Sequence, residues 1–308
     1  MDYQKGTRVV HPNAPEWGLG EVLEDSVEGS IRIFFVGAGE VKLSLQGLEL
    51  LQPNGAAANH PILDNLKITT EKNLRYRTLP ECIQRFLVDY PEGFYGQKFA
   101  DDERDYKLKA HREMTALLSQ DNFQRRIANG QYEELYNDAT KHAAATNLIH
   151  LHEKLALRNG LHSIELKQRF TELLYEYLFG EAPFEKRFNE FSNFLESIKA
   201  GRWTIISFFS FTMFPDQHIS IKPTITTNAA DICAFDIRYR PGPNWQTYEA
   251  VLRFSQFLKS ELTKADLNPR DMIDVQSFMW CIRPDKAMKA QGKKKSKGAE
   301  PELLRKIS

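Results

Sequence analysis

The stretch spanning residues 6–51 constrains the fold of this chain more than any other part, because short runs of β-forming residues alternate there with glycine and proline. Ile31, Ile33 and Phe35 share one face of a strand, and Pro12 and Gly37 mark changes of direction. Five segments are predicted to be strands: 7–10, 19–24, 31–36, 41–45 and 48–51. This density of short strands favours a small SH3- or Tudor-like barrel, because closing the sheet removes its exposed edges.

The rest of the chain is dominated by apolar positions at helical spacing. Phe184, Phe188 and Phe191 begin one such stripe, and Ser163 and Asn244 are placed to cap two other helices. We therefore predict an α+β protein. Its predicted parts are a barrel at 1–54, a linker or wrapping segment at 55–78, a mainly helical domain at 79–285 and a disordered basic tail at 286–308.

Two segments of the helical domain are harder to assign. Residues 204–214 are apolar without strict alternation, so a buried helix and a strand are both compatible with the pattern. Residues 219–225, which contain Pro223, favour irregular structure or an edge strand. Asn268 and Pro269 are predicted to be the cap and first residue of the last helix, with Asp271 at its third position.

Charge is balanced over the whole chain but not along it. The sequence has 41 basic and 41 acidic side chains, so no global field draws it to nucleic acid or to a membrane. Residues 1–54 hold four basic and eight acidic side chains, a net charge of −4 that suits a protein partner better than a phosphate backbone. Residues 286–308, in contrast, hold eight basic and two acidic side chains.

Patterns that carry chemistry are sparse. The histidines have no Cys or carboxylate partners at metal-site spacing, and the three cysteines form no CxxC pair. We therefore predict no metal site, no cofactor, and reduced thiols in a cytoplasmic protein. A signal peptide and an apolar run of about 18 residues are both missing from the sequence, which argues against a membrane partner. The residues considered were His142, His150, His152, His162, Cys82, Cys233 and Cys281.

The first part of the chain resembles a known family. Residues 8–45 are similar to the small domain that ends UvrD/PcrA-type helicases, and to related small bacterial domains. The matching residues are Arg8, Val9, His11, Pro12, Gly18, Gly20, Val22, Phe35, Gly37, Gly39, Lys42 and Leu43. The resemblance implies a Tudor-like barrel similar to the RNA-polymerase-interacting domains of CarD-type and transcription-repair-coupling proteins. It also implies docking onto a large nucleic-acid machine.

These observations favour a non-catalytic adaptor that docks on transcription or DNA-repair machinery, with RNA polymerase or a helicase or repair complex as the partner. Arg8, Trp17 and Phe34 are the expected partner-binding residues of the barrel. The helical domain or the basic tail is expected to contact DNA. The expected nucleic-acid or ligand contacts are Lys222, Arg238, Arg240 and Trp245.

An alternative of a different class stays open. The chain could be a subunit of a DNA-processing or phage-defence enzyme with its site in residues 203–283. Asp231, Asp236 and Glu249 lie in the right neighbourhood for a restriction-type nuclease, but no Glu-x-Lys tripeptide follows them on a strand-like run.

Overall fold

The structure, a computed structural model, describes residues 2–68, 75–146 and 148–284, without the side chains of 142–145. The predicted tail at 286–308 lies outside the described residues. The chain combines a small antiparallel sheet at the N-terminus with a mostly helical region, so the α+β prediction is confirmed. No helix of the described part of the chain has both the length and the hydropathy needed to cross a membrane.

The sheet has four strands in the order β1-β2-β3-β4. All neighbours are antiparallel, with Val9 opposite Gly20, Val22 opposite Ile33, and Ile33 opposite Val41. The fifth predicted strand is wrong as an element, because residues 48–51 join the sheet only through a single bridge between Val10 and Leu51. The strands are β1 Arg8–Val10, β2 Leu19–Val22, β3 Ser30–Phe35 and β4 Gly39–Ser44, and a 3₁₀ turn covers Pro15–Trp17.

The buried side chains on the two faces of the sheet belong to two different hydrophobic cores. Ile31, Ile33 and Phe35 point into a small core that residues 3 and 50 also enter, and Tyr3 donates its hydroxyl hydrogen bond to the Leu50 carbonyl. Phe34 points to the opposite face and joins the large core of the helices. We call residues 2–51 the N-terminal module and residues 79–284 the helical body.

The helical body is built from twelve described helices, some of them short. Thr78 begins the first with a capping box, in which Glu81 and Thr78 hydrogen-bond each other's backbone. The helices are α1 Leu79–Asp89, α2 Gln97–Phe99, α3 Asp105–Leu117, α4 Gln120–Ala128, α5 Tyr132–Ala145, α6 Leu151–Gly160, α7 Ile164–Phe179, α8 Phe184–Ser197, α9 Trp203–Met213, α10 Pro223–Ile232, α11 Trp245–Lys264 and α12 Met272–Cys281. A π turn at Ala100–Arg104 joins α2 to α3.

The structure resolves the segment that the pattern left open. Residues 203–213 form α9, every one of its residues is buried, and the helix packs on α3, α6, α7 and α8. An apolar run of this kind has no solvent face, so it carries no amphipathic period. Ser207 and Ser210 tolerate this burial because their hydroxyls hydrogen-bond carbonyls one turn back.

Two predictions for segments that lie at the starts of α10 and α12 are wrong. Pro223 does not lie in an edge strand but is the first residue of α10, where its missing N–H costs nothing. The last helix starts later than expected: Asp271 caps it by accepting from the backbone N–H groups of Ile273 and Asp274. Asn268 instead adopts a left-handed backbone, with φ of 46°.

A buried ion network fixes the start of α12 to the π turn. Arg104 donates to both Asp271 and Asp274 at 2.8 Å, and Asp274 also accepts from Arg270 at 2.9 Å. Next to it, Lys107 donates to Gln276 at 2.7 Å and pairs with Glu103 at 3.1 Å. Charges this deep in the protein are tolerated because each has an opposite partner.

The chain between the module and the helices is held along the helical body. The Lys67 N–H donates to the Ala234 carbonyl at 3.0 Å, and the Asp236 N–H donates to the Asn65 carbonyl at 2.7 Å. Leu66 and Phe235 form a bridge there, so this part of the predicted linker is a strap with fixed backbone partners.

Candidate functional site

Trp17 lies at one end of the small core of the module. Its ring is half-buried, 4.9 Å from His11 and 5.2 Å from Phe35 between ring centroids. The Gly37 N–H donates to the Trp17 carbonyl at 2.9 Å, and a Cβ at Gly37 would collide with the Glu16 carbonyl. The turn is therefore rigid, and it holds a large aromatic ring partly in the core and partly in solvent.

Arg8, the second residue expected to bind a partner, is engaged inside the chain. Its Nη2 lies 3.1 Å from carboxylate oxygens of both Glu21 and Asp64, and Nη1 is buried without a hydrogen-bond partner in the described residues. Burial raises the pKa of Glu21, and the Arg8 guanidinium partly opposes that rise. Arg8 therefore connects β1 and β2 to Asp64, next to the strap, and its guanidinium is already engaged within the chain.

Phe34, the third expected contact, is not available at the surface. It is 2% exposed and meets Tyr76 edge-to-face with 4.7 Å between centroids. The Tyr76 hydroxyl donates to the Val36 carbonyl, and burial raises the pKa of Tyr76, so this donor stays protonated. The alternation of residues along β3 correctly predicts that Phe34 and Phe35 point to opposite faces of the sheet. Phe34 is not the exposed contact that was predicted, because Tyr76 covers it.

Gly39 permits this joint. It starts β4 with φ of 75°, and a Cβ there would lie 3.0 Å from the Tyr76 ring. Glycine therefore serves two needs at one position, a left-handed backbone and the close approach of an aromatic side chain.

The second expected set of contacts does not form one surface. Trp245 lies in an aromatic cluster with Phe184 and Tyr248. Arg238 and Arg240 have exposed side chains, and their carbonyls accept from Thr247 and from the Trp203 indole at 2.7 and 2.8 Å. Lys222 lies in other surroundings, before α10, with its ammonium 5.6 Å from the centroid of the Trp280 ring.

A chain of buried hydroxyl groups runs beside Trp245. His218 Nδ1 lies 3.0 Å from the Tyr248 hydroxyl, which lies 3.3 Å from Ser210 Oγ, which accepts from Tyr177 at 2.9 Å. Burial lowers the pKa of His218 to about 4 and raises the pKa of both tyrosines. Near neutral pH the four groups are thus uncharged and well bonded, which suits a structural network better than proton transfer.

Two of the cysteines, Cys233 and Cys281, are also made less reactive by their surroundings. Burial raises the pKa of Cys281 to about 12. Contact with the Cys82 thiol, and then burial, raise the pKa of Cys233. A thiol of this kind is a weak nucleophile, because the thiolate is the reactive form.

The acidic residues considered for a nuclease have separate partners. Asp231 pairs with Lys67 at 2.7 Å, Asp236 accepts from the Arg238 N–H at 2.8 Å, and Glu249 pairs with Arg253 at 3.1 Å. Among the described residues, no three His, Cys, Asp or Glu side chains are grouped as ligands for a metal ion. His150 instead caps α6, and its ring accepts from the His152 N–H.

Sequence reasoning selected Lys222 but missed Trp280 and Arg283, the residues that it accompanies in the fold. The Arg283 guanidinium carbon lies 3.7 Å from the centroid of the Trp280 ring, and Lys222 reaches the same ring. The local signal, an arginine three residues after a tryptophan, was visible in the sequence, whereas Lys222 is brought in only by the fold.

Comparison with known proteins yields one match. A family model described as "Protein of unknown function (DUF3553)" matches residues 3–51. No curated protein and no solved structure matches the chain. The matched residues coincide with the four strands and their small core, so the N-terminal module is similar to the members of that family.

Proposed function

We propose that this protein is a non-catalytic adaptor that docks on a partner protein of the transcription or DNA-repair machinery through the Trp17 end of its N-terminal module. The proposal depends chiefly on one observation, the partly buried Trp17 ring on a 3₁₀ turn. Large aromatic side chains that are held rigidly dominate many protein interfaces, because little side-chain entropy is lost when they are buried.

The arrangement of the module supports this choice of surface. On the outer face of the sheet Phe34 is covered by Tyr76, and Arg8 is paired with Asp64, so both side chains are already in contact with the chain itself. Trp17 contacts Phe35 on the inner face of the sheet, and its ring is only partly buried. The solvent-facing part of the ring is available to another protein.

Charge narrows the kind of partner. The residues of the module belong to a segment with a net charge of −4, and Glu16, next to Trp17, is exposed. Such a surface repels phosphate backbones and favours a basic patch on a protein. The resemblance to the Tudor-like domain of UvrD/PcrA-type helicases supports RNA polymerase as the first candidate, with the module as a Tudor-like barrel.

The proposal is tested with the full-length protein immobilised and challenged with purified RNA polymerase. We expect Trp17→Ala to lower the affinity by at least tenfold, since truncation of an interface anchor costs about 2 kcal/mol or more. Val27→Ala, at a side chain that is 65% exposed, is the matched control and should bind normally.

Folding must be separated from binding in this experiment. Trp17 also covers the small core, so each variant is checked by thermal unfolding. Glu16→Lys serves as a second variant, because it inverts a charge beside the ring without removing a core contact. Wild-type affinity in both variants would contradict the proposed surface, and the lack of any binding to polymerase would contradict the proposed partner.

The competing proposal, an enzyme subunit with its site in residues 203–283, predicts nuclease activity with Mg²⁺ or Mn²⁺. The geometry gives it less support, since the carboxylates there are paired separately and the buried histidine, tyrosines and cysteines are shifted toward their uncharged forms. Metal-dependent cleavage that is abolished by Asp231→Asn would favour this class over the adaptor.

A further inference from the structure

The end of α12 presents an aromatic side chain to solvent in an otherwise buried helix. Of its ten residues, Trp280 alone is half-buried and the rest are buried. Burial of the neighbours fixes the backbone, so the indole has a defined position at the surface. A tryptophan held in this way offers a flat apolar face with little entropy left to lose on binding.

Two cations accompany that ring. Arg283 stacks on it at 3.7 Å and donates to the Trp280 carbonyl, which fixes the guanidinium over the indole. Lys222 approaches the same ring to 5.6 Å from the N-terminal end of α10. A guanidinium plane stacked on an aromatic ring is itself a surface on which a nucleic-acid base can stack.

A buried ion pair lies behind this surface. Lys107 is fully buried next to it, and the charge of Lys222 adds to the burial that lowers the pKa of Lys107. Burial also lowers the pKa of Lys222, against the opposing effect of Glu103 and Glu153. Glu103 is paired with Lys107 at 3.1 Å, and Glu153 accepts from the His150 N–H at 2.9 Å. An anion placed at Lys222 would stabilise the charged form of that side chain, which burial disfavours.

The sequence adds more cations from the same point of the chain. Residues 286–308 begin three positions after Arg283 and carry eight basic and two acidic side chains, a net charge of +6. These cations therefore follow Trp280 and Arg283 closely along the chain. Repeated cations with an aromatic platform fit a polymer of phosphates and bases, whereas a single phosphate would use neither the platform nor the long basic segment.

We propose that the surface formed by Lys222, Trp280 and Arg283 binds single-stranded nucleic acid, with a base stacked on the Trp280–Arg283 pair and phosphates at the cations. The inference is independent of the docking at Trp17, which uses another part of the molecule. It also differs from the contacts expected from the sequence, since Arg238, Arg240 and Trp245 take no part.

The test is fluorescence anisotropy of a labelled oligothymidylate of about 16 nucleotides with the full-length protein, at about 50 to 200 mM salt. We expect binding that weakens with salt and a weaker response to a duplex of equal length. Trp280→Leu should lower the affinity by about 5- to 150-fold, the range that loss of one stacked base produces. Trp280→Phe should retain much of the affinity.

Variants at Lys222 and Arg283 test the same surface without changing the partly buried Trp280 side chain. Arg283→Gln and Lys222→Gln should each weaken binding and make the slope of log affinity against log salt shallower by about 0.7 for each phosphate that is no longer neutralised. The matched control is Arg253→Gln, an exposed arginine on α11 that pairs with Glu249. Circular dichroism and the thermal midpoint show which variants are folded.

Three outcomes would overturn the proposal. One is wild-type affinity in Trp280→Leu together with loss of binding on deletion of 286–308, which would assign binding to the basic segment alone. Another is equal binding of duplex and single strand that is insensitive to Arg283→Gln. The third is the absence of detectable oligothymidylate binding at about 50 mM salt, where electrostatic attraction to phosphates is strongest.

Discussion

Phe34 and Phe35 are adjacent phenylalanines whose removal should have different consequences. Phe34 is 2% exposed and packs on Tyr76 across the joint between module and helical body, whereas Phe35 is fully buried in the small core of the module. The two substitutions remove the same atoms from the same strand. Comparing them therefore separates the free energy with which the module docks on the helical body from the free energy with which the module itself folds.

The expected magnitude is similar for both positions, since truncation of a buried phenylalanine to alanine costs about 3–5 kcal/mol. For Phe34→Ala that free energy is lost from the joint, where the Tyr76 hydrogen bond and the Arg8–Asp64 ion pair remain. For Phe35→Ala it is lost from a unit of about fifty residues, whose total stability at about 0.1 kcal/mol per residue is of the same size. We therefore expect Phe34→Ala to release a folded module and Phe35→Ala to unfold it.

The assay is amide NMR of the full-length protein combined with limited proteolysis in residues 52–59. Phe34→Ala should keep the dispersed resonances of β1–β4, shift those of residues 75–78 and speed cleavage in 52–59. Phe35→Ala should move the strand resonances to random-coil positions while the helical body stays intact. The reasoning is refuted if Phe34→Ala changes the unfolding free energy by less than about 0.5 kcal/mol, the range of ordinary surface substitutions.

Two further predictions concern the helical body. Arg104→Met leaves the buried Asp271 without its counter-ion and Asp274 with Arg270 alone, so we expect the free energy of unfolding in urea to fall by about 3–5 kcal/mol; a loss below about 1 kcal/mol would show that the network is solvated. The pKa of His218 is lowered to about 4 in the folded chain, so the unfolded chain binds more protons between about pH 4 and 6.5. The stability from His218 is therefore complete above pH 6.5 and is lost as the pH falls through 4, by up to about 3 kcal/mol. His218→Phe should remove that part of the pH dependence, and equal curves for both proteins would contradict the assignment.

Local rules predicted much of the helical body. Ser163 and Asn244 cap α7 and α11 as their spacing indicated, because a cap depends on residues within one turn. Where two local signals competed, the sequence was insufficient. Asn268-Pro269 resembled a helix start, but the Arg104 guanidinium holds Asp271, which becomes the cap instead.

The candidate site was less predictable, since it depends on contacts between distant residues. The alternation of β3 correctly placed Phe34 opposite Phe35, but nothing near Phe34 in the sequence indicated that Tyr76 would cover it. Lys222 was selected for its neighbours in sequence, whereas its aromatic partner in the fold is Trp280. The Trp17 turn is local, and its sequence punctuation was sufficient to single it out.

The strap between the two parts of the chain has a consequence for valency. The backbone of Asn65 and Lys67 is hydrogen-bonded to the helical body. The module is attached to the neighbouring residues, because the Tyr76 hydroxyl donates to the Val36 carbonyl and Asp64 pairs with Arg8. A flexible tether would give two binding surfaces an effective concentration that depends on linker length. Here the fold sets the separation between Trp17 and Trp280, so the two proposed binding surfaces stay at a fixed distance and orientation. Simultaneous engagement would then select targets by the spacing and orientation of their two contact points, and lengthening residues 52–59 would not broaden that selection while the joint holds.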